Sequence, residues 1–288
     1  MASPTFENKV VLITGASNGI GAATAAQFAA LGAKIAGLDI RDSEIPSTDK
    51  RIDIKCDVSN EDSVIAAVKA VVEKWGTIDV LCNIAGITDK FRKCHYYFGY
   101  SVYEEDQADI KSSKTERVTE TTNADLNRIM GINFNGPLFL MRHVIPHFLA
   151  KPGSVQGQGY NAVLPKKGAI VNICSAAALR GSAAGAIYTS SKHALLGLTR
   201  NTAWMYAKEG VRTNAVLPGG VATNILNNSG IDPSTQLDPI GFPILQPAHA
   251  LQPAVCVPDD VARTIVFLAG TDGVNGAEVT VDQGWCQA

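Results

Sequence analysis

Seven short apolar runs, rich in valine and isoleucine, are spread along the chain, and helical patterns separate nearly all of them. They read KVVLITG, AKIAGLDI, RIDIKCDV, IDVLCNIAG, GAIVNICSA, RTNAVLPG and AEVTVDQG. Strands that are covered by helices on both faces have this continuous apolar character. Strands that alternate with helices predict an α/β fold, a doubly wound parallel sheet with helices on both faces.

Two of the intervening helical patterns carry end signals. The first, GAATAAQFAALG, ends at Gly32, which suits a helix C-cap. The second is predicted to begin with a capping box formed by Ser59 and Asp62 and to end at Gly76. Each helix then lies directly between two predicted strands.

The composition is that of a folded globular chain. Its 288 residues are 46% hydrophobic and 18% charged, which supplies a full core near the upper size of one domain. We therefore predict a single domain over residues 1–288. The formal net charge of −2 gives no basic field for nucleic acid, and no run of lysine and arginine marks a membrane surface. Small molecules are the expected partners.

The amino-terminal residues and the cysteines indicate the compartment. The polar start MASPTFENK leads directly into a strand-like run, and no apolar run reaches transmembrane length. The six cysteines show no CxxC spacing, and three lie in apolar strand-like runs, where free thiols behave as small hydrophobes. We predict a cytoplasmic protein.

Three segments exceed ordinary loop lengths. Residues 88–122 follow the fourth run and hold six of the aromatic residues, whereas residues 151–167 precede the fifth run at the opposite end of the sheet. Both are predicted insertions, and the first is either a substrate lid, a subunit contact or a self-packed flap. Residues 224–257 contain only two formal charges, which predicts an apolar lid and a bulky hydrophobic or cyclic substrate.

A glycine-rich turn joins the first strand to the first helix. It reads TGASNGIG, from Thr14 to Gly21, with the spacing Gly-x-x-x-Gly-x-Gly. Its backbone N–H groups and the helix N-terminus would face a pyrophosphate, although tight turns of this kind need glycine in any case. The predicted dinucleotide contacts in this turn are Gly15, Ser17, Asn18, Ile20 and Gly21.

The end of the second strand bears on the choice of dinucleotide. Asp39 lies eighteen residues after Gly21, where a carboxylate can accept hydrogen bonds from an adenosine ribose and would repel a 2′-phosphate. With its neighbour Ile40, it predicts NAD rather than NADP. The alternative is a carboxylate in solvent, and Arg41 nearby could partly offset its charge.

The stretch GAIYTSSK places Tyr188 and Lys192 four positions apart. Residues four apart on a helix are neighbours, so the phenol and the ammonium can point into the same space. The pair is either a surface contact or a tuned acid. The spacing alone does not decide between them.

Several motifs resemble, in their order, those of the short-chain dehydrogenase/reductase family. They are TGASNGIG, CDV at 56–58, NIAG at 83–86, Asn133 in GINFNGP, Ser175 in NICSA, YTSSK at 188–192, and PGGVAT at 218–223. The step of thirteen residues from Ser175 to Tyr188 matches that family as well. The resemblance implies a seven-stranded Rossmann-type sheet, a nicotinamide cofactor and a homotetramer or homodimer.

The resemblance also implies a catalytic set of four residues. Tyr188 would act as general acid and base, and Lys192 would favour its phenolate and hydrogen-bond the nicotinamide ribose. Ser175 would hold the substrate oxygen, with a strand-end hydroxyl bonding backbone as the alternative. Asn133 would hold a water that relays protons to the lysine, with a helix kink near Pro137 as the alternative.

Further cofactor contacts follow from the same resemblance. They are Asp57, Val58, Asn83, Ala85, Gly86, Tyr188, Lys192, Pro218, Gly219, Val221 and Thr223. Asp57 would bond the adenine, or else form a strand-end turn. The chain departs from the family pattern at Ile84, where an asparagine is usual, and at Cys174, where a serine often precedes the catalytic one.

Together these features predict an NAD-dependent oxidoreductase that interconverts a secondary alcohol and a ketone. The alternative is a non-catalytic protein of the same fold that senses NAD or docks a partner, and a third option is an epimerase or dehydratase using bound NAD. No metal site is predicted. His143 and His147 have helical i, i+4 spacing, but no glutamate of a zinc motif accompanies them and Pro146 interrupts the helix.

Overall fold

Seven parallel strands form one sheet in the computed structural model, which describes residues 5–43, 45–88, 96–97, 100–101, 117–159, 162–223 and 241–287. The strand order is β3-β2-β1-β4-β5-β6-β7. The strands are β1 Val10–Thr14, β2 Lys34–Asp39, β3 Arg51–Lys55, β4 Val80–Asn83, β5 Gly168–Ile173, β6 Val211–Pro218 and β7 Glu278–Val281. The prediction of a doubly wound, Rossmann-type seven-stranded parallel sheet is confirmed.

Helices cover both faces of this sheet. They are α1 Gly19–Ala30, α2 Glu61–Trp75, α3 Asn123–Met130, α4 Gly136–Leu149, α5 Ala186–Met205, α6 Gly241–Ala250 and α7 Pro258–Gly270. Helices α1 and α7 pack on one face, whereas α2, α4 and α5 pack on the other.

Alternation along the strands divides the core into two layers. In β1, Val10 and Leu12 join the cluster under α2 and α4, whereas Val11 and Ile13 join the cluster under α1 and α7. Leu12 lies opposite Ala36 of β2 and is also paired with β4. Because both faces of such a strand pack against an apolar layer, consecutive residues are hydrophobic, which explains the continuous apolar runs.

The helix ends agree with the sequence in part. Gly76 adopts the left-handed conformation (φ +74°) and ends α2, as predicted. The capping box of Ser59 and Asp62 was a wrong prediction, because Asn60 is the N-cap and its side chain accepts a hydrogen bond from Ser63 N. Ser59 instead donates its N–H and hydroxyl to Asp57 Oδ1, at 2.9 and 2.7 Å.

A π-helical turn over Gly131–Asn135 separates α3 from α4. It inserts extra backbone into what would otherwise be one continuous helix, and such bulges are frequent at functional sites. Gly136 lies against Val58, where an added Cβ would be 3.0 Å from Val58 Cγ2. The turn therefore brings its residues close to the carboxyl end of β3.

The three long segments are described in part. Of residues 88–122, the structure describes Thr88, a two-residue antiparallel pairing of 96–97 with 100–101, and residues 117–122. The choice between lid, subunit contact and flap lies outside the described residues. Of residues 151–167, the structure describes 151–159 and 162–167, and Lys151 Nζ donates to Asp79 Oδ1 at 2.7 Å, just before the amino end of β4. Of residues 224–257, the structure describes 241–257, which include α6.

In the described part of the chain, no helix has both the length and the apolarity to cross a membrane.

Candidate active site

A cleft of about 650 Å³ opens at the carboxyl ends of the strands. It lies where the strand order reverses between β1 and β4, which is where open α/β sheets bind their ligands. The residues that line it are Gly15, Asn18, Gly19, Ile20, Gly21, Leu38, Asp39, Ile40, Arg41, Cys56, Asp57, Val58, Ile84, Ala85, Gly86, Ile87, Thr88, Arg128, Ile132 and Thr223.

The glycine-rich turn forms one wall of this cleft. Gly15 has φ +67°, and a Cβ added at Gly21 would lie 2.0 Å from the carbonyl oxygen of Gly15. Only glycine allows this close approach of the turn to the helix. Asn18 is the N-cap of α1 and its side chain accepts from Gly19 N at 2.6 Å. The remaining N–H groups of the first helical turn can serve an anion in the cleft.

Asp39 lies at the end of β2 and lines the cleft with Arg41. Its carboxylate accepts hydrogen bonds from Ser17 N (3.1 Å), Arg41 N (3.1 Å) and Arg41 Nε (3.2 Å). Burial raises the pKa of Asp39, but these hydrogen bonds outweigh burial and the pKa is lowered overall. The carboxylate is therefore ionised at neutral pH. Ser17 contributes its backbone to holding Asp39.

Asn83 does not reach the cleft with its side chain. It is buried at the end of β4, and its Nδ2 donates to Asn172 Oδ1 of β5 at 2.8 Å. Asn172 in turn donates to Thr199 Oγ1 at 2.9 Å. Asn83 therefore ties the two strands to α5, and any contact with a cofactor would come from its backbone.

The NIAG segment after β4 is fixed by a buried threonine. Thr14 Oγ1 accepts hydrogen bonds from both Ile84 N and Ala85 N, each at 2.9 Å. The next residue, Gly86, lies against the catalytic candidates: a Cβ added there would be 3.3 Å from Asn133 Oδ1 and 3.4 Å from Lys192 Nζ. The replacement of the family's usual asparagine by Ile84 leaves this backbone arrangement intact.

Tyr188 and Lys192 lie on one face of α5. Neither lines the cleft, but Lys192 lies directly behind Gly86, which does. Lys192 is 4% exposed, and its Nζ lies 5.5 Å from the centroid of the Tyr188 ring. Lys192 Nζ donates to the carbonyl oxygen of Ile173, the last residue of β5, at 3.0 Å. Burial lowers the pKa of Lys192 to about 8. The ammonium is still mostly charged at neutral pH, close to the phenol.

Asn133 lies beside Gly86 as Lys192 does, and Ser175 directly precedes two alanines of the cluster against which Tyr188 packs. Asn133 is fully buried in the π-helical turn, where its Oδ1 accepts from Ile87 N at 2.9 Å and its Nδ2 donates to Ile87 O and Ser191 Oγ. It thus connects α5 to the segment that follows Gly86. Ser175 follows β5, and its Oγ accepts from Ala177 N at 3.1 Å as the cap of a short 3-10 turn. The structural alternative for Ser175, a strand-end hydroxyl that bonds backbone, is therefore present, whereas Asn133 bonds Ile87 and Ser191 and does not cap a kink near Pro137.

The other predicted cofactor contacts divide into two groups. Asp57 and Val58 line the cleft after β3, and Asp57 also forms the strand-end turn with Ser59. Of the PGGVAT segment, only Thr223 lines the cleft. Pro218 ends β6, Gly219 lies against Asp282, and Val221 is bridged to Cys256.

Some lining residues carry no local sequence signal. Thr88 and Arg128 reach the cleft from either side of the long insertion, and Ile132 comes from the π-helical turn. Thr88 Oγ1 and Arg128 Nε are buried without a hydrogen-bond partner in the described part of the chain. Buried polar atoms of this kind are rare and favour a ligand nearby.

The cleft fits a nicotinamide dinucleotide. The glycine turn leaves room for a pyrophosphate at the start of α1, and the volume of about 650 Å³ lies in the range of small-molecule and cofactor sites. Asp39 lines the cleft at the end of β2, where its carboxylate would accept hydrogen bonds from a ribose. A metal site has less support. Among the described residues, no three histidines, cysteines or carboxylates are grouped. His143, one of the two histidines with helical spacing, and its neighbour Arg142 both hydrogen-bond the carboxylate of Glu61.

Comparison with known proteins agrees with this geometry. Residues 9–233 match the family model described as short chain dehydrogenase. The chain belongs to the short-chain dehydrogenase family. Similar relatives include the short-chain dehydrogenase/reductase olcF of Penicillium canescens, 35% identical and covering 97% of both chains. The short chain dehydrogenase adrF of Penicillium rubens is 34% identical, covering 97% of this chain and 98% of that protein.

Solved structures of short-chain dehydrogenases share the whole fold. Levodione reductase superimposes with a TM-score of 0.75 at 26% identity, covering 98% of this chain and 99% of that chain. A 3-ketoacyl-(acyl-carrier-protein) reductase from Brucella melitensis, solved with NADH, has a TM-score of 0.73 at 26% identity, with 98% and 100% covered. The oxidoreductase family and the Rossmann-type fold are therefore established for this chain.

The burial of Lys192 predicts a pH effect on stability. Its pKa is about 8 in the folded chain against an ordinary value of 10.5, so below pH 8 both states hold the proton and folding carries a constant cost. Between these values the unfolded state binds more protons, so the free energy of unfolding rises with pH, by on the order of 3 kcal/mol. Lys192→Met should lack this rise.

Urea unfolding of the cofactor-free protein at several pH values would measure the effect. Burial also raises the pKa of the Cys82 thiol, but that effect is the same in wild type and variant. Because the charge of Lys192 partly offsets the rise that burial causes in the pKa of Cys174, both profiles are measured in a Cys174→Ala background, and their difference then isolates Lys192. Parallel profiles would show that the ammonium is not desolvated.

Proposed function

We propose that this short-chain dehydrogenase is an NAD-dependent oxidoreductase that interconverts a secondary alcohol and a ketone, with Tyr188 as general acid and base. The observation that carries the proposal is the buried ammonium of Lys192 beside the Tyr188 ring, directly behind Gly86 in the wall of the cleft. A buried cation next to a phenol has a clear chemical use, because it favours the phenolate.

Tyr188 moves the proton in this proposal. Reduction of a ketone leaves an alkoxide that must gain a proton, and oxidation of an alcohol needs a base to remove one. A free tyrosine has a pKa near 10, and each unit of lowering requires about 1.4 kcal/mol. The charge of Lys192 supplies part of that stabilisation, since opposite charges within a few ångströms favour the ionised phenol.

Ser175 and Asn133 support this step. The oxygen of Ser175 accepts from Ala177 N, so its hydroxyl hydrogen can be donated to a substrate oxygen where charge develops. Asn133 holds the segment after Gly86 and, through Ser191, the helix that carries Tyr188 and Lys192. Its position next to Lys192 also suits a water that passes protons to the ammonium.

The dinucleotide would be held by the glycine turn, Asp39, the Asp57–Val58 turn and the segment Ala85–Gly86. When bound, it supplies or accepts the hydride. We propose NAD rather than NADP because Asp39 is an ionised carboxylate inside the cleft, and Arg41 is already paired with it. A 2′-phosphate would face this carboxylate.

The substrate is proposed to be apolar or cyclic. Residues 224–257 carry only two formal charges, and the part of this segment in α6 lies near the catalytic helix. The insertion at 88–122 is proposed as a lid or a subunit contact. A single domain, a homodimer or homotetramer, and a cytoplasmic location complete the proposal.

A spectrophotometric scan at 340 nm with a panel of alcohols and ketones tests the proposal. We expect NAD-linked turnover of at least one apolar or cyclic secondary alcohol or ketone. Binding of NADH without turnover of any compound would favour a protein that senses NAD or docks a partner. Cofactor retained through purification would favour an epimerase or dehydratase.

A further inference from the structure

The tryptophan near the C-terminus caps helix α6. Trp285 lies in the 3-10 turn Trp285–Gln287, and its indole Nε1 donates to the carbonyl oxygen of Ala248 at 2.6 Å. Ala248 is in the last turn of α6, where carbonyl oxygens have no partner within the helix. The indole therefore satisfies a carbonyl that would otherwise depend on water.

The next residue of α6 makes a second link. His249 Nε2 lies 3.1 Å from the carbonyl oxygen of Ala183, and because a carbonyl only accepts, this nitrogen carries the hydrogen. Ala183 lies three residues before α5. The imidazole also packs against Trp285, with ring centroids 5.3 Å apart. Three segments thus meet here: α6, the C-terminal turn and the entrance to the catalytic helix.

The meeting point is next to Tyr188. Trp285 is 3% exposed and packs in one cluster with two alanines that follow Ser175 and two that precede α5, and Tyr188 packs against that cluster. Asp282 holds the turn, since its carboxylate accepts from Gly284 N at 3.0 Å and from Cys286 N at 2.7 Å. A movement of Trp285 would therefore change the packing against Tyr188.

Helix α6 has few other means of attachment within its described residues. Five of its residues are exposed, namely Pro243, Ile244, Gln246, Pro247 and Ala250. Pro247 lies inside the helix and lacks the N–H that would bond the preceding turn. The hydrogen bonds made by Ala248 and His249 therefore contribute to holding the helix in place.

We propose that Trp285 and His249 are positioning residues, which hold α6 as a wall beside Tyr188 and so determine which substrates the site accepts. This inference rests on the proposed function. It adds that substrate selection depends on the C-terminal turn, 97 positions after Tyr188 in the sequence. The contacts of Trp285 and His249 described above include no residue that lines the cleft, and Asp282, which lies against Gly219, is left unchanged, so dinucleotide binding should change little.

The test compares Trp285→Phe with Trp204→Phe. The first variant keeps an aromatic ring but removes the N–H that caps α6, whereas Trp204 is 83% exposed on α5 and serves as the matched control. We expect hydrogen exchange of residues 241–250 to become faster by about tenfold in Trp285→Phe. The KM for the best ketone should rise about fivefold or more, with kcat and the Kd for NADH within about twofold. Trp204→Phe should match wild type.

A second pair of variants separates positioning from general destabilisation. His249→Gln keeps an N–H donor and should retain most of the wild-type KM, whereas His249→Leu should raise it as Trp285→Phe does. Unchanged exchange of 241–250 in Trp285→Phe would overturn the proposal, as would a rise in the Kd for NADH equal to the rise in KM. Hydrogen exchange can be measured without turnover. If the wild-type protein turned over no substrate, the proposed function would be rejected, and the exchange of residues 241–250 would still show whether Trp285 anchors α6.

Discussion

Replacing Tyr188 with phenylalanine should abolish most turnover and leave NADH binding nearly intact. The substitution removes only the phenol oxygen, so the packing of the ring beside Lys192 is kept while the proton donor is lost. General acid–base catalysis of this kind is worth roughly 10²–10⁴-fold in rate. Steady-state kcat and fluorescence titration of NADH would measure the two effects separately.

Tyr206→Phe provides the control for this variant. Tyr206 follows the last residue of α5 and packs against the core below α2 and α4, away from the cleft. Its loss of one hydroxyl should leave kcat within about twofold of wild type. If Tyr188→Phe kept more than about a tenth of the wild-type activity, the assigned role of Tyr188 would be rejected.

The double change Asp39→Ala with Ile40→Arg should shift cofactor preference toward NADP. It removes a carboxylate that would repel the 2′-phosphate, releases Arg41 from its ion pair, and adds a second guanidinium at an exposed position lining the cleft. Arginine binds phosphate with two parallel hydrogen bonds. We expect the ratio of kcat/KM for NADPH to that for NADH to rise about a hundredfold, or about 2.7 kcal/mol.

Asp42→Ala is the matched control for this change. Asp42 lies near Asp39 in the sequence but is exposed and paired with Lys55 on the surface. Its removal also makes the net charge more positive but leaves the lining of the cleft unchanged. The ratio of kcat/KM for NADPH to that for NADH should therefore stay as in wild type. An unchanged ratio in the double variant would mean that Asp39 does not face the ribose.

The fold could be predicted because its strands are covered on both faces. The run GAIVNICSA, for example, became β5, in which every residue after Gly168 is buried, and the run IDVLCNIAG became β4 followed by the segment that lines the cleft. Such strands can be recognised from the local sequence without knowing which distant residues contact them. The start of α2 was predicted wrongly because Ser59 and Asn60 are both good caps, and Asp57 binds Ser59 and leaves Asn60 to cap the helix.

Candidate site residues could be predicted from the sequence where they lie at strand ends or share one face of a helix. Asp39, Gly86 and the pair Tyr188 and Lys192 are of this kind. The side chain of Asn83 could not be assigned to its partner Asn172, because these residues are 89 positions apart and meet only once β4 pairs with β5. The same holds for the link between Trp285 and α6. Long-range hydrogen bonds leave no periodic pattern in either segment.

Transfer of deuterium from NADH that carries two deuterium atoms on the reactive carbon of the nicotinamide ring would test the central claim most directly. Wild-type protein is incubated with the labelled cofactor and the best ketone of the panel, and the alcohol is analysed by mass spectrometry. Hydride transfer predicts one deuterium on the carbinol carbon of the product, and its near absence with Tyr188→Phe. Tight binding of NADH without deuterium in any product would contradict the claim.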